Sequence, residues 1–230
     1  MIDNTSVPVI AVDGPSGAGK GTVCSILRQR LGFHYLDSGA IYRLAGLALS
    51  EGDTTTHLAE RIVQELRAED IVFAGGDAQD VIWRGQSVGK ALRTEACAAV
   101  ASKVAADPAV REALMDIQRS FRRAPGLVAD GRDMGTVVFP DAAVKFFVDA
   151  TAEERARRRY LQLRDQGIDA KMGSLLRDIE DRDHRDRNRK VAPLVAASDA
   201  VIIDTTSISA EQVAEKVWQS LPDFLREPGG

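Results

Sequence analysis

The chain has 230 residues, 44% of them hydrophobic and 28% charged, the make-up of an ordinary globular protein with length enough for a full core. Its formal net charge of -4 argues against a protein that coats nucleic acid, since such domains carry a basic surplus, so any basic site must be local. The only cysteines, Cys24 and Cys97, lie far apart and form no CxxC pair, which indicates neither a zinc site nor a disulfide framework and points to a reducing cytoplasm.

From the N-terminus, Met1 to Pro8 lacks a basic leader region, and no apolar run approaches the roughly 18 residues that span a membrane. Val7 to Val12 is the first of four short apolar runs that read as buried parallel strands; the others are Leu127 to Ala129, Val144 to Val148 and Ala200 to Ile203. A weaker fifth is Phe33 to Leu36. Val23, Ile26, Leu27 and Leu31 share one face of a helix that follows the first strand. From Gly52 to Pro125 the alternation breaks: Ile71 to Phe73 and Val81 to Arg84 flank a Gly75-Gly76-Asp77 turn, which reads as a hairpin inserted in the fold. Helices follow over Thr94 to Ala105 and from Asp107, an N-cap with Pro108 at the first helical position. Later, Thr151 with Glu154 and Ser209 with Gln212 have the spacing of capping boxes, each just after a strand. The expected architecture is a three-layer α/β domain with helices on both faces of the sheet.

Directly after the first strand stands Gly14-Pro15-Ser16-Gly17-Ala18-Gly19-Lys20-Gly21-Thr22, and then the helix. Strand, glycine loop, lysine and helix are the parts of a phosphate-binding loop: bare backbone N–H groups approach a triphosphate, and an exposed loop lysine reaches its β- and γ-phosphates. Gly21 stands where the strict pattern has the Ser or Thr that contacts magnesium. The Gly-Lys-Gly-Thr ending resembles the loop of nucleoside monophosphate kinases, in which that role would pass to Thr22.

Leu36-Asp37-Ser38-Gly39-Ala40-Ile41-Tyr42-Arg43 places a serine and an arginine at a helix start that can hold an anion, with a simple cap and a surface arginine as the alternative. Asp130-Gly131-Arg132-Asp133-Met134-Gly135-Thr136 lies at the carboxyl end of a strand, where open α/β sheets place ligands. There Asp130 could steer a magnesium hydration shell, and Arg132 with Asp133 offers a cation and an acceptor, or a purely structural ion pair. Arg182, Asp186 and Arg189 are spaced to share one helical face, and Arg155, Arg157, Arg158 and Arg159 form a second basic cluster; solvated faces are the alternative for both.

On the runs Gly14 to Thr22, Leu36 to Arg43 and Asp130 to Thr136, with Arg185-Asp186-Arg187-Asn188-Arg189 as a fourth, the chain resembles the bacterial cytidylate kinases over nearly its full length. The resemblance implies one P-loop NTPase domain over 1–230 with a five-stranded parallel sheet, an inserted CMP-binding subdomain at about 53–125, and a short lid at about 155–169. It implies γ-phosphoryl transfer from ATP, with Mg2+, to CMP or dCMP by a cytoplasmic monomer without nucleic acid or membrane. Ser102, Arg111 and Asp133 would then face the cytosine, Arg182 and Asp186 the ribose, and Ser38, Arg43, Arg132 and Arg189 the acceptor phosphate. Tyr42, Asp130 and Gly131 would complete the acceptor site, and Lys20, Arg132, Arg189 and the lid's Arg158 would act on the transferred group. A P-loop kinase for UMP, AMP or a sugar-like acceptor would keep the loop but not the pairing of Arg111 with Asp133; a nucleotide sensor would bind ATP and CMP without turnover, which needs fewer arginines around the phosphates.

Overall fold

The computed structural model describes residues 7–47, 55–74, 80–92 and 94–226. In chain order it begins β1 (Val9–Asp13), α1 (Lys20–Leu31), β2 (His34–Asp37), α2 (Ser38–Leu47) and α3 (Thr55–Glu65). There follow β3 (Ile71–Ala74), β4 (Asp80–Trp83), β5 (Gln86–Ser87), α4 (Gly89–Leu92), α5 (Glu95–Val104) and α6 (Pro108–Arg119). The rest is β6 (Leu127–Gly131), a π-turn (Met134–Val138), β7 (Val144–Asp149), α7 (Ala152–Asp165), α8 (Met172–Arg187), β8 (Val201–Asp204), α9 (Ala210–Gln219) and α10 (Asp223–Arg226).

All five residues of β1 are buried, as expected of a central parallel strand covered on both faces. Parallel pairing sets the order β2-β6-β1-β7-β8. The chain thus steps outward from β1 to β2, leaves a slot that β6 fills much later, and then builds β7 and β8 on the other side. That reversal opens a crevice at the carboxyl ends of β1 and β6. Each of the five strands carries an aspartate near this edge: Asp37, Asp130, Asp13, Asp149 and Asp204. α1 packs on the sheet with α9 beside it, and α2 packs on β6 with α4, α5 and α6 behind it. Right after β1, Gly14 has φ +147°, and a Cβ there would lie 1.9 Å from the Val148 carbonyl oxygen. Only glycine lets the loop leave the sheet at that point.

The segment between α3 and α6 carries a small antiparallel sheet, with Ile71 opposite Trp83 and Ile82 opposite Ser87. The Gly75-Gly76-Asp77 turn lies outside the described residues. The sheet's third strand, Gln86–Ser87, is exposed and only two residues long, so it has no apolar alternation by which to be read. Phe73 joins this sheet to the core, its ring 5.6 Å from that of Tyr35 and 5.5 Å from that of Phe121.

Asp107 caps α6 through the Ala109 and Val110 N–H groups, with Pro108 opening the helix. The Ser209–Gln212 box is reciprocal, whereas the Thr151 box is half formed. Thr151 accepts from the Glu154 N–H, but the Glu154 carboxylate turns to Arg157 and Arg158, whose charge-assisted bonds are stronger than one to a backbone N–H.

Candidate active site

Lys20 is the first residue of α1, and Gly19 before it takes the left-handed conformation at φ 98°. The exposed loop lysine expected from the sequence is in fact buried, with 7% of its surface accessible. Its ammonium donates to the Pro15 carbonyl at 3.1 Å and lies 3.7 Å from Asp130 Oδ1, because β6 sets its carboxyl end beside β1 and closes over the loop. Burial, aided by the nearby Arg132 charge, lowers the Lys20 pKa to about 8. Burial likewise raises that of Asp130, which accepts from the Tyr35 hydroxyl at 3.2 Å. Thr22 is exposed on the first turn of α1, and Gly21 faces open space.

One cavity beside this loop gathers the acceptor-side residues named from the sequence. The loop contributes Ser16 and Lys20; α2 contributes Ser38, Tyr42 and Arg43. From α5 and α6 come Ser102 and Arg111, from the end of β6 the run Asp130 to Asp133, and from α8 and just beyond it Arg182, Asp186 and Arg189. Arg111 forms a buried ion pair with Asp133, donates to the Ala105 carbonyl at 3.3 Å, and lies 5.6 Å from the centre of the Tyr42 ring. Desolvation raises the Asp133 carboxyl, with Arg111 opposing.

Arg182 and Asp186 share a face of α8, but Arg189 does not belong to that helix, which ends at Arg187. Arg189 reaches the cavity by folding back onto the Asp186 carboxylate. The other Asp186 oxygen accepts from Arg132 Nε at 3.2 Å, so this carboxylate, 1% exposed, holds two arginines at the cavity wall. Asp186 is therefore engaged on both oxygens by the protein.

The remaining loop residues Gly14, Pro15, Gly17, Ala18, Gly19, Gly21 and Thr22, and Arg158, lie outside the cavity lining. Arg158 donates to Thr205 Oγ1 at 3.1 Å and to the Thr205 carbonyl at 2.5 Å, and the Thr205 hydroxyl donates to the Ala18 carbonyl at 2.7 Å. Arg158 thus sits beside the loop at Gly19. Arg155 differs from the mobile cation expected in a lid: it is 3% exposed, paired with Asp183, and bonded to the Ala150 and Ser16 carbonyls. Its guanidinium joins α7 to α8 and to the loop backbone. Arg157 pairs with Glu154 at the surface, and Arg185 donates to Ser102 Oγ at 3.3 Å.

Four participants are absent from the sequence reading as site residues. Asp37 accepts from the Ala40 N–H at 2.9 Å and pairs with Arg43, an N-cap pattern visible in the run Asp37-Ser38-Gly39-Ala40. Gln118 accepts from the Ser38 hydroxyl at 2.8 Å, a contact across 80 positions with no local signal. Thr205 fastens Arg158 to the loop. Asp13 ends an otherwise apolar strand, and that abrupt change of polarity is its only mark; it is 4% exposed, and burial pushes its carboxyl up to about 7.

Among the described residues, six cations and four carboxylates line the cavity, an excess of positive charge suited to a dianion. No three His, Cys, Asp or Glu side chains converge there as a cage for a metal ion. Thr22, exposed on the first turn of α1, and Asp130, 3.7 Å from the Lys20 ammonium, are side-chain oxygens that would serve an ion held mainly by substrate phosphates and water, as Mg2+ usually is. No helix among the described residues is long and apolar enough to cross a membrane.

The family model described as "Cytidylate kinase" matches residues 10–223. Proteins named cytidylate kinase are similar over most of the chain. That of Vibrio vulnificus (strain YJ016) is 53% identical over 97% of this chain and 100% of its own. That of Edwardsiella ictaluri (strain 93-146) is 57% identical over 90% and 92%, and that of Klebsiella pneumoniae (strain 342) 52% identical over 93% and 95%.

Proposed function

The chain belongs to the cytidylate kinase family, and we propose that it transfers the γ-phosphoryl group of ATP to CMP, and to dCMP, giving CDP or dCDP and ADP. The observation that carries this is the cation-rich cavity, which meets the phosphate loop at Lys20 and holds the buried Arg111–Asp133 pair. A phosphate needs the cations; a base needs something besides. Cytosine offers an amino donor beside the acceptors N3 and O2, which complement a carboxylate and a guanidinium respectively, whereas uracil would set a carbonyl against Asp133. Arg182 is assigned to the ribose, and Ser38, Arg43, Arg132 and Arg189 to the acceptor phosphate, with Asp186 fixing the last two.

The acceptor phosphate has a second pKa near 6, so at pH 7 it is mostly a dianion and requires no general base. What remains is electrostatic: two anions must approach in line while charge spreads over the group in flight. Lys20 and Ser16 form the wall between loop and cavity, so Lys20 can follow the migrating phosphoryl group while Arg132 and Arg189 hold the acceptor. Mg2+, when bound, would neutralise part of the triphosphate charge. Residues 53–125 serve as the acceptor-binding subdomain and 155–169 as a lid whose Arg158 approaches the phosphates from the Gly19 side. Their closure excludes water, a competing acceptor. Action as a monomer belongs to the same reading, and two buried free cysteines suit a reducing cytoplasm.

A coupled ADP-release assay over CMP, dCMP, UMP and AMP tests the reading, with CMP and dCMP expected to give the highest kcat/KM. Asp133→Asn is expected to lower the CMP-to-UMP ratio by roughly five- to 150-fold, the value of about 1 to 3 kcal/mol for a good contact pair, with KM for ATP nearly unchanged. A ratio that stays put while both rates fall would return Asp133 to a purely structural role.

A further inference from the structure

Asp133 stands immediately before the π-turn, where an aspartate ordinarily accepts a hydrogen bond from the second or third N–H group of the turn it precedes. It makes no such bond here, because its carboxylate is turned to Arg111. The N–H groups of Met134 and Gly135 are instead taken by Asp13, from Oδ1 and Oδ2 at 2.8 Å each. Asp13 comes from the end of β1, more than a hundred positions away in sequence. We propose that Asp13 is a positioning residue for acceptor selection: by capping this turn in place of Asp133, it leaves the Asp133 carboxylate free to face the base.

For the Gly135 N–H, the second of the turn, an alternative acceptor is close at hand in Asp133. Met134 and Gly135 are both buried, and a Cβ on Gly135 would lie 3.0 Å from Lys145 Cδ and 3.4 Å from Ala11 Cβ, so the turn is tightly packed. Buried N–H groups without an acceptor are costly, so on loss of Asp13 the Asp133 carboxylate is drawn back onto its own turn. Arg111 would lose its partner, and the base its reader. Asp13 also lies directly before Gly14 and pairs in register with Gly131, so a single side chain ties the start of the phosphate loop to the segment that carries Arg132 and Asp133.

The inference rests on the reading of Asp133 given above, and a four-variant cycle separates the two. kcat/KM for CMP and for UMP, KM for ATP and Tm are measured for wild type, Asp13→Asn, Asp133→Asn and the double variant. Asn keeps the volume of Asp13 but sets an amide donor against one of the two N–H groups. Asp13→Asn is expected to lower the CMP-to-UMP ratio roughly tenfold, about what one hydrogen-bond pair is worth, with KM for ATP shifted less than about twofold. In the Asp133→Asn background it should move the ratio no further, because both changes remove the same reader. If Asp133→Asn leaves the ratio unmoved, the account of base reading fails and this one with it. If Asp133→Asn lowers the ratio and Asp13→Asn lowers only Tm and both rates together, base reading stands and the role of Asp13 is overturned. Should Asp13→Asn not fold, Asp13→Ser, which retains one acceptor, carries the same expectation; failure of both to fold would make Asp13 a structural residue and also overturn it.

Discussion

At Lys20, burial and function pull in opposite directions. The free protein holds the ammonium with its pKa lowered to about 8 by desolvation first and Arg132 second, while a bound triphosphate favours the charged form. Above pH 8 the free side chain is therefore increasingly neutral and the nucleotide complex stays protonated. ATP binding at pH 8.5 is accordingly expected to take up a fraction of a proton approaching one, and to weaken as the pH rises further. Calorimetry in two buffers of different ionisation enthalpy measures the uptake; Lys20→Arg, whose charge does not titrate in this range, should abolish it. The glycine loop in the sequence is enough to pick out Lys20 and the anion it meets. Its burial was not legible, since that depends on Asp130, which arrives beside it only through the pairing of β1 with β6. The same holds for Asp13, whose partners lie beyond any local pattern.

Among the elements, α7 carries two arginines three positions apart with different duties. Arg155 is fixed by Asp183 and two carbonyl groups, whereas Arg158 leans on Thr205 at the rim of the loop with its side chain 30% exposed. Arg155→Ala strands Asp183 against α7 and is expected to lower stability by about 3 kcal/mol, read from denaturant unfolding. Arg158→Ala should leave the unfolding midpoint almost unmoved and lower kcat by about tenfold or more, the effect of losing one cation near the transferred group. Nothing in the spacing of Arg155, Arg157, Arg158 and Arg159 separates these roles; the positions facing α8 and facing Thr205 are set by how the two helices pack. The pairing of Arg182 with Asp186 on one face was legible from its four-residue step. The return of Arg189 was not, because it lies past the end of the helix.

Across the whole molecule, the segment between α3 and α6 joins the core at several apolar side chains, among them Phe73, whose ring is 8% exposed and set against Tyr35 and Phe121. Phe73→Ala is expected to cost about 3 to 5 kcal/mol of stability. Because that segment carries Ser102 and leads directly into α6 with its Arg111, KM for CMP should rise several-fold while KM for ATP changes little; equal changes in both would separate Phe73 from the acceptor side. The alternation of apolar runs and helical spacings made the α/β class legible from Val9 to Ile203. The order of strands was not, since β6 and β7 are equally apolar and no local feature says which side of β1 each will take.

Four arginines of the cavity are already matched by carboxylates of the chain: Arg43 by Asp37, Arg111 by Asp133, and Arg132 and Arg189 by Asp186. The protein thereby supplies its own counter-ions. A nucleotide that enters exchanges places with internal carboxylates for part of its contacts instead of stripping salt from bare guanidinium groups, so its affinity depends on ionic strength less steeply than the number of arginines would suggest. Chloride or free phosphate, with neither sugar nor base to add to its charge, has little with which to displace them.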